Sequence, residues 1–397
     1  MGVSIPALDV DRGRAVSGTA RVGRWVASID WSNVPEGVWA AAHRSFWDTV
    51  GCIIGGFGTT SARICAEVAA REPGVVKLPF GRTAPLAMGA LAYASAASAL
   101  DLDDGHYEGG AIHPGSVIVS SLLASAPQEM AIGTLLRSQI VGYEVALRAA
   151  RILWPRDPSS RYHCTGTAGA LGAAAACAHL AGADAGAVSR AIATAWGHAP
   201  MSSFQLPMIK ESIAWAAATG VVAAELSRAG FMASTRDVPP PDIHPPTPFD
   251  EMPPGTDVFV DSLGSVYETA NVYLKPFAAC RYTHAAAESL RRLVADRGNA
   301  SISEVVVGTH RNAVFLDDPK PPTLDHAQYS YQFVLAAILQ TGAAGVREMS
   351  ETALDDRARL AWCERIRVVH DPTMDELTRR AIPVRSRFAS MTAPWSA

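Results

Sequence analysis

The sequence predicts a mainly α protein, in which a large all-helical domain is followed by a smaller α+β lid domain. Between about residues 34 and 230 the pattern is helical and rich in alanine and glycine, as in residues 89–97 and 169–176. The proline-rich stretch 236–248 interrupts this pattern, because each proline removes a backbone donor and fixes φ. Short β-branched runs, which are typical of strands, follow only after it. This order of elements indicates an all-α domain with a mixed domain behind it.

The length of the chain supports two domains. At 397 residues the chain is long for a single hydrophobic core. We therefore place the domains at residues 1–240 and 241–397. Hydrophobic residues make up 49% of the chain and charged residues 18%, which predicts an extensively buried, oligomeric globular protein.

The first domain is expected to consist of closely packed helices. Alanine favours the helix, and its small side chain allows helix axes to approach one another. Asn33, Thr165 and Asp184 each precede a helical run and are candidate N-caps. Strands are expected only beyond the proline-rich stretch.

The second domain is expected to combine strands and helices. The predicted strands are residues 258–260, 302–308 and 366–369. Helices are predicted at residues 283–295 and 330–340, between these strands. The second domain is thus predicted to be α+β.

Charge and motifs exclude several classes of function. A net charge of −4 offers no basic surface for nucleic acid, and no long, strongly apolar segment predicts a membrane helix. The sequence has no Walker motif, no dinucleotide-binding glycine motif and no Gly-x-Ser-x-Gly motif of a hydrolase. Six scattered cysteines without a Cys-x-x-Cys pair, and an N-terminus without the features of a signal peptide, predict a cytoplasmic protein with reduced thiols.

A segment dense in polar residues is the first candidate for an active site. It runs from Asp101 through Asp103, Asp104 and His106 to His113, directly after an alanine-rich helix. Such density costs folding free energy unless the groups meet a ligand, a metal ion or one another. A loop whose carboxylates cap helices would have the same sequence. A metal site lacks the His-x-His or His-x-x-x-His spacing that would support it.

Further polar residues stand at the starts of helices. His163 precedes an alanine-rich helix whose N-terminus is suited to an anion, and Lys210 begins another such helix. Lys275, Cys280 and Arg281 lie in a turn that leads into a helix. Each has a structural alternative: a histidine satisfied within the core, a lysine that reaches solvent, or an inert buried cysteine.

Taken in order, these segments resemble the MmgE/PrpD family, which includes 2-methylcitrate dehydratase, cis-aconitate decarboxylase and iminodisuccinate epimerase. The matching pieces are residues 100–104, 113–115, 142–145 with Arg148, 163–169, Lys210 with its helix, and 275–284, with a weaker fit at 327–330. The resemblance covers roughly residues 30 to 385, and the shared order of the motifs makes it specific for the family but not for the reaction. One difference is Gly105, where relatives often have threonine.

The resemblance implies an all-helical domain capped by an α+β lid, a homodimer, and a site between the domains for small di- or tricarboxylic acids. It implies neither a cofactor nor a metal. The catalytic positions of the family correspond here to Asp101, His113, His163, Lys210, Lys275 and Cys280. Arg281, Asp104 and His106 are the candidate substrate-binding residues. We expect Asp101, both histidines and both lysines to converge on one cleft.

The chemistry that the resemblance implies is proton movement at a carbon next to a carboxylate. His113 and His163 are the candidate acid and base, with Asp101 orienting one of them, and the sequence does not decide which histidine is the base. Cys280 is either a proton donor on the second face of the substrate or part of the pocket wall. The cations that would offset the developing charge are Lys210, Lys275 and Arg281.

Three functions remain open at this point. The leading one is a dehydratase of a hydroxylated carboxylic acid. The second is a decarboxylase or an epimerase on the same scaffold. The third is a catalytically lapsed member that binds a carboxylate or a partner protein, and the retention of both histidines and both lysines argues against it.

Overall fold

The computed structural model describes residues 17–106, 112–153, 162–203, 210–231, 247–252, 255–297 and 302–381. Within these ranges the protein is mainly α with a few short strands, which confirms the predicted fold class. Most of the proline-rich stretch, up to residue 246, lies outside the described residues. Among the helices described, none has both the length and the hydropathy that a membrane crossing requires.

The first part of the chain forms a bundle of helices around one apolar core. In chain order these helices are α1 (Gly18–Ala27), α2 (Glu36–Gly56), α3 (Thr60–Ala69), α4 (Leu86–Ala99), α5 (Pro114–Ser125), α6 (Ile132–Leu153), α7 (Thr165–Leu180), α8 (Ala185–His198) and α9 (Lys210–Arg228). Helix α7 is central, because it packs on α6, α8 and α9 and is buried from its first residue to Ala178. Small residues make this possible: a Cβ on Gly172 would lie only 2.5 Å from the carbonyl oxygen of Gly142 on α6.

One of the three predicted helix caps is confirmed. The carboxylate of Asp184 accepts a hydrogen bond from the amide of Ala187 at the start of α8. Thr165 is instead the first residue of α7, and Asn33 ends a short 3-10 turn. Val34, which precedes Pro35, has the extended backbone that is favoured before proline, so α2 begins only after Pro35.

Two short β pairings precede the proline-rich stretch, so the prediction that strands come only after it is wrong. Strand β1 (Val76–Lys77) pairs with β2 (Thr83–Ala84), and β3 (Tyr162–His163) pairs with β4 (Ser202–Ser203). Both pairings are antiparallel and two residues long, and so short a segment has no periodicity for the sequence to show. The second pairing matters for the site because β3 contains His163.

The second part of the chain contains helices and one pair of parallel strands. In chain order these elements are α10 (Val258–Asp261), α11 (His284–Arg297), β5 (Val305–Thr309), α12 (Leu324–Gln328), α13 (Tyr331–Thr341), α14 (Arg357–Cys363), β6 (Ile366–His370) and α15 (Pro372–Ala381). The helices predicted at 283–295 and 330–340, and the strands predicted at 302–308 and 366–369, are present with small shifts of their ends. The strand predicted at 258–260 is wrong: it is helix α10, because an apolar run of three residues does not distinguish a buried helix from a strand.

A segment that we call the connector, residues 255–275, joins the two parts. The buried guanidinium of Arg148 donates to the carbonyl oxygen of Val266 at 2.7 Å and pairs with the carboxylate of Glu144 at 3.1 Å. The same carboxylate accepts hydrogen bonds from the amide and hydroxyl of Thr269. These bonds fix the connector to α6, and thereby fix the point at which the chain enters the second part.

The apolar side chains form two main cores. The first includes residues from Val22 to Tyr267, and the second includes residues from Phe277 to Val368. Phe249 and Tyr267 therefore pack with the helical core although they follow residue 240. The boundary at 240 itself falls outside the described residues and stays a prediction.

Candidate active site

Side chains from both parts of the chain line one cavity. All six residues predicted to be catalytic line it, namely Asp101, His113, His163, Lys210, Lys275 and Cys280, together with the candidate substrate-binding residue Arg281. The other lining residues are Ser98, Asp103, Thr165, Ile213, Tyr282 and Tyr329. Because most of these residues are far apart in the chain, the tertiary fold brings them together. Their catalytic roles stay predictions.

The loop after α4 presents Asp101 to the cavity in an uncommon backbone conformation. Asp101 has a φ of 50°, in the left-handed region that costs a residue other than glycine roughly 1–3 kcal/mol. The ammonium of Lys275 holds this conformation, since it donates to the backbone oxygen of Asp101 at 3.2 Å and to Oδ1 at 3.1 Å. Oδ2 of Asp101 is buried and has no hydrogen-bond partner within the described part of the chain.

Lys275 is a buried cation between two carboxylates. Its Nζ lies 3.1 Å from Oδ1 of Asp101 and 3.5 Å from Oδ1 of Asp103. Burial lowers the pKa of Lys275, but the two carboxylates outweigh it and the pKa is raised. Burial raises the pKa of Asp101, but Lys275 above all outweighs it and the pKa is lowered. Both partners are therefore charged at neutral pH.

Gly105 joins the acidic loop to the connector. Its amide donates to the carbonyl oxygen of Tyr273 at 3.0 Å, and the amide of Tyr273 donates back at 2.9 Å. A Cβ at position 105 would lie 2.4 Å from the hydroxyl oxygen of Tyr273, so the phenol occupies the space that a side chain at 105 would need. This close pairing is what brings Lys275, two residues further on, beside Asp101.

His113 has the geometry of a general base. It precedes the first residue of α5, and its Nδ1 lies 2.7 Å from the backbone oxygen of Asp104. A carbonyl oxygen only accepts hydrogen bonds, so Nδ1 carries the proton and Nε2 keeps its lone pair. Oδ2 of Asp103 lies 3.8 Å from Nδ1 and would stabilise the imidazolium formed when Nε2 takes a proton.

The structure places neither Asp104 nor His106, the other two candidate substrate-binding residues, among the residues that line the cavity. The Asp104 side chain is buried behind it and accepts hydrogen bonds from the hydroxyl of Tyr143 at 2.7 Å and the amide of Gly115 at 2.8 Å. His106 is equally buried, with its Nε2 3.3 Å from a carboxylate oxygen of Glu268 on the connector. Asp104 instead acts on the site through the backbone oxygen that holds His113.

His163 is set up as a neutral hydrogen-bond donor. It lies at the end of β3 and is 3% exposed. The amide of Thr165 donates to its Nδ1 at 3.4 Å, so the ring proton is on Nε2. Burial, together with His113 and Lys275, lowers the pKa of His163 to about 3. The ring therefore stays uncharged at neutral pH.

Lys210 points into the protein rather than to solvent. It is the first residue of α9 and is 8% exposed, which rules out the alternative of a lysine that reaches water. Its ammonium donates to Oε1 of Gln328 and, at 3.4 Å, to Oδ1 of Asp325. The ring centre of Tyr329 lies 5.8 Å from Nζ. Lys210 is thus a cation held by partners from the second part of the chain.

Cys280 is a buried thiol and not an activated nucleophile. Burial, with a further contribution from Asp101, raises its pKa to about 12. The group therefore keeps its proton at neutral pH. Next to it, the guanidinium carbon of Arg281 lies 5.4 Å from the ring centre of Tyr273 on the connector.

Several residues that line or support the cavity are not among those predicted from the sequence. Asp103 stands within the acidic segment itself, Tyr282 within the turn at 274–284, and Tyr329 and Gln328 within the weaker-fitting segment 327–330. In the sequence, only their position next to predicted site residues could have indicated that they belong to the cavity. Nothing in the sequence marks Ser98 or Ile213, which line the cavity only because their helices end or begin there.

The donors in the cavity suit an organic anion. Asp101 and Asp103 are both engaged by Lys275, and a bound ammonium opposes the approach of a second cation. Across the described residues, no three His, Cys, Asp or Glu side chains are grouped in a way that would hold a metal ion. Asp101 and the two imidazole rings line the same cavity as the cationic side chains of Lys210, Lys275 and Arg281.

Two family models match the chain. The MmgE/PrpD N-terminal domain matches residues 20–239, and the MmgE/PrpD C-terminal domain matches residues 277–391. No curated protein shows a significant match to the chain. The lining residues from Ser98 to Ile213 fall in the first matched range and those from Cys280 to Tyr329 in the second, with Lys275 between the two.

Proposed function

The chain belongs to the MmgE/PrpD family, and we propose that it is a cofactor-independent lyase that dehydrates a small hydroxylated di- or tricarboxylic acid. Membership supports a dehydratase-like or lyase-like function in the broad sense. The observation that supports the specific proposal is the cavity, which two histidines and three cationic side chains line. One histidine has a lone pair at Nε2 and the other has an N–H there. This set matches what removal of a proton next to a carboxylate requires.

The cations address the main energetic difficulty of the reaction. A C–H bond next to a carboxylate is a very weak acid, because the carbanion adds a second negative charge beside the first. In a buried site such a charge interacts strongly with nearby cations. The groups that would provide this stabilisation are Lys210, Lys275 and Arg281.

In the proposed reaction His113 is the base. Its Nε2 lone pair takes the proton from the carbon, and Asp103 stabilises the resulting imidazolium. The leaving hydroxyl needs a proton to depart as water, and the imidazolium of His113 supplies it. The Nε2–H of His163 donates a hydrogen bond to the departing oxygen, as a neutral imidazole can do in a buried site.

One observation favours epimerisation as the second candidate. Epimerisation requires a proton donor on the opposite face of the carbon, and the protonated thiol of Cys280 lines the same cavity. His113 would take the proton from one face of the carbon, and the thiol would deliver its own proton to the other face. The resulting imidazolium and thiolate would return to their neutral forms by proton exchange with solvent before the next turnover.

The test is a proton NMR time course with citrate-like and succinate-like acids in deuterated water. Dehydration produces alkene signals with loss of the hydroxylated substrate, and decarboxylation releases carbon dioxide. Epimerisation exchanges the proton next to the carboxylate for deuterium without net loss of substrate. The His113→Gln variant is the negative control, and the exposed His198→Gln the positive one. Silence of the wild-type protein with every acid would overturn the proposal in favour of a lapsed, carboxylate-binding protein.

A further inference from the structure

Gln328, the last residue of α12, makes hydrogen bonds in three directions although it does not line the cavity. It is fully buried. Its Oε1 accepts a hydrogen bond from the ammonium of Lys210, and its Nε2 donates to the carbonyl oxygen of Ala99 at 3.1 Å. Its backbone oxygen accepts from the amide of Cys280 at 2.8 Å. One residue of the second part of the chain thus contacts α4, α9 and the turn that carries Cys280.

The side-chain amide of Gln328 can point only one way. The carbonyl oxygen of Ala99 accepts but does not donate, and the ammonium of Lys210 donates but does not accept. A flipped amide would bring N–H groups against the ammonium and an oxygen against the carbonyl. The two contacts therefore fix the orientation of the amide together.

Gln328 is the better of the two acceptors for Lys210. The other, Asp325, lies 3.4 Å from Nζ and its side chain is 33% exposed, so solvent screens that contact. Gln328 holds the ammonium inside the protein. A lysine ammonium has three N–H donors, and among the described residues these two contacts leave one for a ligand in the cavity.

We propose that Gln328 is a positioning residue that aims the ammonium of Lys210 into the cavity and ties it to the end of α4 and to Cys280. The second part of the chain thereby completes a cation site that begins on the first. The change in kcat/KM that this inference predicts rests on the proposed function. The change in the reactivity of Lys210 that it predicts does not.

The first experiment measures how fast an amine-acylating reagent modifies Lys210, by mass spectrometry of peptides from the intact protein. Lys275 in the same protein is the internal reference. We expect Gln328→Met to raise the ratio of Lys210 to Lys275 modification at least severalfold, because the ammonium loses its buried acceptor. Gln328→Asn, which retracts the amide by one methylene, serves if the Met variant does not fold. An unchanged ratio in a folded variant would overturn the inference.

The matched control is Gln332→Met on α13. Gln332 is also buried and also bonded through both amide atoms, to the amide of Asp318 and the carboxylate of Asp317, but it does not contact the cavity. A general loss of stability would raise modification of both lysines in either variant. A rise confined to Lys210 and to the Gln328 variants supports positioning.

The second experiment compares kcat and KM for the substrate found by NMR. We expect Gln328→Met to lower kcat/KM by roughly tenfold to a hundredfold, as misplacement of a catalytic group does, while Gln332→Met has little effect. If the wild-type protein turns over no acid, the proposed function fails, and the modification ratio still decides whether Gln328 positions Lys210. Equal kinetic losses in the two variants would contradict the inference.

Discussion

At the scale of single residues, the two histidines differ through their backbone partners. Nδ1 of His113 donates to a carbonyl oxygen, whereas Nδ1 of His163 accepts from an amide. The first ring therefore presents a lone pair at Nε2 and the second presents an N–H. The sequence did not decide which histidine is the base. The partners of both Nδ1 atoms are main-chain groups, which every residue has, so the residue types do not reveal them.

This difference predicts distinct effects of the same substitution. His113→Gln should lower kcat by about a hundredfold or more, because an amide is no base. His163→Gln should lower kcat less than His163→Leu does, because the amide retains an N–H donor. Steady-state kinetics with the NMR-identified substrate, alongside circular dichroism to verify folding, tests this. Equal losses for Gln at both positions would contradict the assignment.

The pKa of His163 also predicts how stability depends on pH. The pKa is lowered to about 3 in the folded protein, from 6.5, so below pH 6.5 the unfolded chain binds a proton that the folded protein does not. Stability is then lost as pH falls from 6.5 towards 3, by about 1.4 kcal/mol per pH unit from this group. His163→Gln should flatten the dependence between pH 6.5 and 5, as measured by urea denaturation.

The control for that measurement is His198→Gln, at an exposed position on α8. The free energy of unfolding of this variant should depend on pH as that of the wild-type protein does. Above pH 6.5, neither variant should change the slope of the free energy of unfolding against pH. A wild-type slope retained in His163→Gln would show that this histidine does not contribute.

At the scale of elements, close packing of helices sets the positions of the candidate catalytic side chains. Helix α7 begins at the cavity and is buried along most of its length, and α9, which carries Lys210, packs against it. A Cβ on Gly220 of α9 would lie 2.4 Å from the Cβ of Ala173. The small residues thus allow the starts of two helices to approach the same space.

Substitution of a buried glycine tests this packing. Gly172→Ala should destabilise the protein by about 1–3 kcal/mol, because the new methyl group would lie 2.5 Å from a backbone oxygen of α6. Gly51→Ala, in α2, is the matched control: apart from the backbone of α2 itself, no atom of the described residues lies within 4 Å of its added Cβ, and it should stabilise by about 0.5–1 kcal/mol through helix propensity. Thermal or urea denaturation measures both. A neutral Gly172→Ala would show that α6 and α7 can separate without cost.

At the scale of the whole molecule, the cavity exists only where both parts of the chain meet. Lys210 comes from the helical part but is held by Asp325 and Gln328 of the second part, while Lys275, at the end of the connector, is held by Asp101 and Asp103 of the helical part. Each of these cations is therefore held by side chains from another segment of the chain. We expect neither part alone to bind a carboxylate.

We also propose, from the family resemblance, that the protein is a homodimer. A chain with 49% hydrophobic and only 18% charged residues is consistent with a large buried interface. Light scattering during size-exclusion chromatography should give twice the chain mass of 41.9 kDa at micromolar concentration. A mass equal to one chain, unchanged on raising the concentration tenfold, would contradict this.

The sequence predicted the helices well and the shortest elements poorly. Runs of ten or more residues with a helical period, such as α9 and α13, were recognisable because a longer run repeats the period more often. The segment 258–260 and the strand β3 are too short to show a period. Their conformations follow from partners elsewhere in the chain: Arg148 for the first and β4 for the second.

The sequence by itself determined the fold class and the chemical types of the candidate site, because these depend on local composition, helical periodicity and the order of motifs. Only the tertiary structure decided which polar residues share the cavity. Asp101 and Asp103 line it, whereas Asp104, next in the chain, does not and accepts a hydrogen bond from Tyr143 of α6 instead. The physical reason is that a loop turns successive side chains in different directions, and the burial and hydrogen bonds that settle each direction come from residues far away in the sequence.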